Sequence, residues 1–181
     1  MGEIQVILLN GASSSGKTTL AKALQNQLTT PHVYFGEDDF WSKLPERGNP
    51  RDHSFEFRYK LYYGFLHCIA ALADCGNCVI VDTVADDNEA LVACARLLSK
   101  ANVLFVGVHC DLAVLEAREQ ARGDRSLGTA RRQHERVHTH SHYDIEVDTS
   151  KSTTAECVEA ILNVHSAPPA QSAFERLLIT A

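Results

Sequence analysis

The chain reads as a three-layer α/β domain, a five-stranded parallel sheet with helices on both faces. Three observations predict it. Five short apolar runs alternate with stretches of helical spacing along 181 residues, the order that right-handed crossovers wind into a parallel sheet. Gly11-Ala12-Ser13-Ser14-Ser15-Gly16-Lys17-Thr18 stands between the first run and the first helix, and fits G-x-x-x-x-G-K-[ST] at every fixed position. With 45% apolar and 22% charged residues, a chain of this length builds its core without disulfides or metal. No repeat or linker divides it, so residues 1–181 are expected to form one domain.

Ile4-Gln5-Val6-Ile7-Leu8-Leu9 is apolar enough for a strand buried on both faces. In the loop that follows, glycines let the backbone turn and point its N–H groups inward, which makes a cradle for phosphates. Lys17 can reach the outer phosphates, and the Thr18 hydroxyl suits Mg²⁺. From Thr19 to Leu28 a helix is predicted, with Leu20, Ala23, Leu24 and Leu28 on one face and its positive dipole end under the phosphates. His32-Val33-Tyr34-Phe35-Gly36 is a second strand. The acidic Glu37-Asp38-Asp39 lies beyond its carboxyl end, where open α/β sheets bind ligands, and is expected to meet a phosphoryl acceptor. The polar residues 45–54 read as a loop over the substrate pocket.

Phe57, Leu61, Phe65, Cys68 and Leu72 recur at near-helical spacing within a helix from Phe55 to Ala73. Its aromatic side chains pack the core or line an apolar pocket; Tyr59, Tyr62 and Tyr63 spread around the helix and cannot all be buried. Cys78-Val79-Ile80-Val81-Asp82 is a third strand. Its terminal Asp82 either simply suits a turn or, beside a phosphate loop, assists Mg²⁺ binding. Asp86-Asp87-Asn88 caps a helix that runs to Leu98.

Asn102 to Val108 is a fourth strand, and Leu112 to Ala121 a helix. Arg118, Arg122, Arg125, Arg131, Arg132 and Arg136 then cluster around a Gly123-Asp124 break. They make a phosphate-clamping lid over about 122–140, or a solvated face paired with Glu116, Glu119 and Glu135. His134 and His138 have the helical spacing of a metal pair, with His140 and His142 nearby; no motif ties them to an acid, and a solvated or hydrogen-bonded face is the other reading. Tyr143 to Thr149 alternates like a fifth strand. Ser152-Thr153-Thr154-Ala155-Glu156 opens a closing helix that Pro168-Pro169 ends, and the tail 168–181 has room for a short helix with Phe174, Leu177 and Leu178.

The formal charge of −6 argues against nucleic acid as the main partner. No secretory signal or membrane-length apolar run is present, so a cytoplasmic location is expected. Of six cysteines, Cys75 and Cys78 have redox-motif spacing. They sit between a helix end and a strand start, which favours small residues flanking a Gly76-Asn77 turn.

Together these residues resemble the P-loop phosphotransferases, and within them the chloramphenicol phosphotransferase-like proteins, from about Ile4 to about Ala160. The carriers are Leu9-Asn10 with the phosphate loop, Phe35-Gly36-Glu37-Asp38 and Val79-Ile80-Val81-Asp82. The more specific ones are Val108-His109-Cys110-Asp111 with Glu116 to Arg125, then Gln133, Val137-His138 and Tyr143-Asp144-Ile145-Glu146-Val147-Asp148-Thr149. The resemblance implies a nucleoside- or shikimate-kinase-like P-loop NTPase fold with a lid, and an ATP-dependent kinase of a small hydroxyl-bearing molecule. It implies that Asp38 accepts the acceptor's proton, with Asp39 as the rival. It also implies that Arg118 stacks on adenine, that Arg122 and Arg125 meet phosphates, and that Asp148-Thr149-Ser150 borders the base. Gly11 to Thr18 with Thr19 would hold ATP, and Thr18 with Asp82 would hold Mg²⁺. Two features depart from the family: Thr83 replaces a frequent second acid after Asp82, and the segment between Phe40 and Ser54 is short. Both face the acceptor, so the resemblance carries the kinase chemistry but not chloramphenicol as substrate. A nucleoside, nucleotide or sugar kinase, and a slowly hydrolysing nucleotide switch, are the alternative readings.

Overall fold

A computed structural model of the chain describes residues 3–44, 53–123, 127–139 and 142–180. At its centre are β1 (Val6–Asn10), β2 (His32–Gly36), β3 (Cys78–Thr83), β4 (Val103–His109) and β5 (Ile145–Asp148). They pair in the order β2-β3-β1-β4-β5, and every pairing is parallel. Eight helices among the described residues connect and cover them: α1 (Lys17–Gln27), α2 (Glu37–Trp41), α3 (Phe55–Asp74), α4 (Asn88–Leu97), α5 (Leu112–Arg122), α6 (Thr129–His134), α7 (Thr154–Ser166) and α8 (Ala173–Thr180).

Every residue of β1 is buried, as its unbroken apolar run demands, because helices lie on both sides of it. Successive side chains alternate between two cores. Val6 and Leu8, with Val81 and Phe105, pack under α3, α4 and α8. Ile7 and Leu9, with Ile80 and Val106, pack under α1 and α7. Each fully buried Leu, Ile or Phe is worth about 1.5–3 kcal/mol of transfer free energy. A third, smaller cluster of Ala12, Leu115, Ala130 and Val137 seats α5 and α6 beside the phosphate loop.

Two features differ from the sequence expectation, while the short helix expected in the tail is present. Glu37–Trp41 is a helix, too short to show periodicity. In α3 the buried positions are Phe65, Leu66, Ile69 and Ala73, while Phe57 and Cys68 are exposed. Only the second half of this helix rests on the sheet, and residues 54–60 are exposed all round. The tail is a structural part of the domain: Phe174 is buried with its ring edge-on to Phe105 at 5.0 Å.

The cysteines are free thiols; burial pushes the Cys78 thiol up, and Gly76 turns with φ +84, as a structural turn predicts. No helix among the described residues is long and apolar enough to cross a membrane.

Register brings the carboxyl ends of the strands to one edge. Asn10 lies opposite Thr83 and Gly107, Gly36 opposite Asp82, and His109 opposite Asp148.

Candidate active site

The phosphate loop is shaped from behind. A Cβ on Gly11 would come within 2.4 Å of the Val108 carbonyl oxygen, so only glycine lets the loop lie this close to β4. Gly16 caps α1 at φ +92 and no side chain bonds into that helix end, so its N–H groups are available to an anion. Ser14 holds a left-handed φ of +66, a conformation that costs a non-glycine residue free energy. Contacts to the outward carbonyls hold it there. Thr149 Oγ1 donates to Ser15 O at 2.7 Å. Arg118 donates to Ser14 O at 3.3 Å, to Thr149 Oγ1 at 3.2 Å and to Thr149 O at 3.2 Å. Among the described residues the buried Ser14 and Ser15 hydroxyls have no hydrogen-bond partner, which suits a cradle for a polar ligand.

Lys17 is buried, its Nζ donating to Ala12 O at 2.9 Å and lying 3.6 Å from Asp82 Oδ1. Thr18 Oγ1 donates to Asp82 Oδ2 at 2.6 Å, and Tyr34 Oη donates to the same oxygen at 3.3 Å. Burial and the Asp82 charge hold the Tyr34 phenol well above its ordinary range, so it keeps its proton. A hydroxyl and a carboxylate side by side are the hard oxygen donors that Mg²⁺ takes alongside phosphate and water. The residues present fit that ion.

A cleft of about 1630 Å³ opens from this point, with Lys17, Thr18, Thr19, Arg118 and Arg122 along one part and Asp38, Trp41, Phe55, Arg58, Tyr59 and Tyr62 along another. The acidic cluster divides. Glu37 turns inward: Oε2 accepts from Thr83 Oγ1 at 2.7 Å and from Val84 N at 3.0 Å, and Oε1 from Trp41 Nε1 at 3.2 Å. Burial pushes its carboxyl up while these donors pull it down. Asp39 Oδ2 lies 2.9 Å from where a Cβ of Gly36 would stand. Asp38 alone of the three is both exposed and along the cleft. Thr83, at the position where the family often has an acid, bonds its hydroxyl to Glu37 rather than offering it to an acceptor.

The arginines also divide. Arg131 pairs with Glu116 at 2.7 Å, and Arg136 lies 3.9 Å from Asp86, as a solvated face predicts. Arg118 and Arg122 border the cleft. Arg125, Asp124 and His140, like residues 45–52 of the predicted loop, lie outside the described residues. Glu119 is no surface partner: it is buried, and accepts from Gly128 N at 2.8 Å and Ala130 N at 2.9 Å, which fixes the start of α6. From α6, Gln133 Oε1 accepts from Ser13 N at 2.7 Å.

Of the predicted histidines, His138 joins a hydrogen-bonded group with Tyr143 and His109. His138 Nδ1 is 2.7 Å from Tyr143 Oη, its ring stacks on His109 at 3.9 Å, and His109 Nε2 is 2.6 Å from Glu146. Among the described residues no cluster of His, Cys, Asp and Glu is arranged to hold a metal. Asn10, fully buried, accepts from Ala85 N at 2.8 Å and donates to Tyr143 Oη at 3.0 Å, which ties the end of β1, just before the loop, to this group.

Residues 4–166 match the family described as chloramphenicol phosphotransferase-like protein. The chain belongs to the chloramphenicol phosphotransferase-like family. Its resemblance to "Putative O-phosphotransferase Rv2636" of Mycobacterium tuberculosis H37Rv runs over 98% of this chain and 89% of that protein, at 32% identity. The counterpart in strain CDC 1551 gives the same figures. Among solved structures, the M. tuberculosis APS kinase CysC in complex with AMPPNP and APS superposes with a TM-score of 0.72 at 16% identity, covering 92% of this chain and 100% of that one. A gluconokinase from Sinorhizobium meliloti 1021 gives 0.69 at 18% identity, covering 91% and 94%. These two likenesses show the fold, that of the P-loop kinases. This member of the family is thereby a phosphotransferase, and the cleft beside Lys17 is its candidate site.

Proposed function

We propose that the protein transfers the γ-phosphoryl group of ATP to a hydroxyl of a small molecule, with Mg²⁺ bound. One observation carries the reading: Asp38 borders the same cleft as the Lys17, Thr18 and Asp82 cluster. The main-chain N–H groups of Ser14 and of residues 16–18, with the Lys17 side chain, stabilise charge on the β- and γ-phosphates. Thr18 and Asp82 would hold the Mg²⁺, which supplies further neutralisation of phosphate charge. Arg118 is the residue we assign to stack on the adenine. Arg122 and, beyond the described residues, Arg125 add positive charge from the lid. Transfer forms a bond from the acceptor oxygen to the γ-phosphorus and breaks the bond to the β–γ bridging oxygen. Asp38 orients the hydroxyl and takes its proton late, since a loose transition state needs little base strength.

The acceptor half of the cleft carries Trp41, Phe55, Tyr59 and Tyr62, which suits a hydroxyl compound with an apolar or flat body. The test is a screen with γ-labelled ATP against chloramphenicol, nucleosides and sugars. A labelled small-molecule product is expected. Hydrolysis of ATP with nucleotide-dependent capture of a protein, and no phosphorylated small molecule, would instead make the chain a switch.

A further inference from the structure

We infer that Gln133 is a positioning residue that reads the γ-phosphate of a bound nucleoside triphosphate. The inference rests on the ATP-donor reading above. Gln133 is held rigidly. Ala130 and Val137, three residues before it and four after, are fully buried, and Glu119 fixes the start of the same helix through two N–H groups. Its Oε1 accepts from Ser13 N at 2.7 Å. A main-chain N–H can only donate, so the amide's orientation follows from chemistry: oxygen toward the loop, Nε2 away from it.

None of the hydrogen bonds among the described residues engages that Nε2, and Gln133 borders the cleft that Lys17, Thr18 and Asp38 also border. The Ser13 N–H is thus already bonded in the absence of nucleotide, and the side chain offers amide N–H donors of its own near the end of the loop. A neutral donor there suits the outermost phosphate, whereas a carboxylate in the same place would repel it. A nucleoside diphosphate has no group at that distance along the chain. Gln133 therefore discriminates triphosphate from diphosphate, and assists both capture of the donor and release of the product.

The test is calorimetric titration of the full chain with AMPPNP and with ADP, each with Mg²⁺, for wild type, Gln133→Glu and Gln133→Ala. Gln133→Glu keeps an acceptor for Ser13 but loses the donors and adds a charge. It is expected to weaken AMPPNP by about tenfold and to leave ADP within about twofold. Gln133→Ala, which removes the donors without adding charge, is expected to show a smaller loss of the same selectivity. Equal weakening of both nucleotides would make Gln133 a mere strut of the lid and overturn the inference, as would unchanged binding of both. Wild-type protein that binds neither nucleotide would instead overturn the ATP reading on which the inference stands.

Discussion

The Thr18 hydroxyl donates to Asp82 Oδ2 at 2.6 Å and so joins the start of α1 to the end of β3. Lys17 lies on the other carboxylate oxygen at 3.6 Å, so Asp82 orders both the Thr18 hydroxyl and the Lys17 ammonium. Asp82→Ala is expected to abolish the Mg²⁺-dependent part of AMPPNP affinity and to slow transfer by about a hundredfold. Titrations with and without Mg²⁺ check this; an unchanged metal increment would remove Asp82 from the ion's shell.

Asp38 borders the cleft and Asp39 turns against Gly36. Asp38→Ala should therefore abolish transfer while leaving ATP affinity nearly intact, and Asp39→Ala should retain most activity. Steady-state rates for the two variants separate the rivals, and a reversed pattern would assign the proton to Asp39.

Glu119 satisfies two main-chain donors at the start of α6 from a buried position. Glu119→Ala leaves both without that acceptor and should lower stability by about 2 kcal/mol. Glu119→Gln, which keeps one acceptor oxygen, should lose less. Thermal unfolding distinguishes them.

Burial raises the Asp148 carboxyl, but Lys151 at 2.6 Å and the Ser150 N–H at 2.9 Å outweigh it and hold the group down to about 2. A carboxylate with a depressed native pKa stabilises the fold above its unfolded pKa of about 3.9, and that contribution disappears as pH falls toward the native value. With Lys151 exposed, the effect is discounted to about 1 kcal/mol. Asp148→Asn should be less stable than wild type by that amount near neutrality, and urea unfolding should show the gap closing by pH about 2.

The strands, the phosphate loop and Asp82 were legible because each rests on local chemistry. β1 and β4 are apolar runs that only a sheet covered on both faces can bury, and the glycines at 11 and 16 meet steric and φ demands within a few residues. What escaped depends on contacts distant in sequence. The bond from Ser13 to Gln133 spans 120 residues, and that from Asn10 to Tyr143 spans 133. Nothing local marks either partner. Glu119 left a trace: it follows the buried Leu115 by one helical turn, so a carboxylate occupies the helix's apolar stripe. The helix of α3 and its aromatic lining were legible, but the exposure of Phe57 and Cys68 was not, because periodicity reports which side chains share a face, not how far the sheet extends beneath them.

The carboxylate of Asp144 clasps Phe105 N of β4 at 2.8 Å and Ala173 N of α8 at 2.6 Å. One residue before it, Tyr143 meets both Asn10 and His138; four residues after it comes Asp148, then the Thr149 that pins the phosphate loop. Through Asp144, α8 is thus buttressed against the segment that sets the loop's back wall. A change in how α8 packs is therefore transmitted to the phosphate loop through Asp144, Tyr143 and Thr149, without altering a residue of the loop itself.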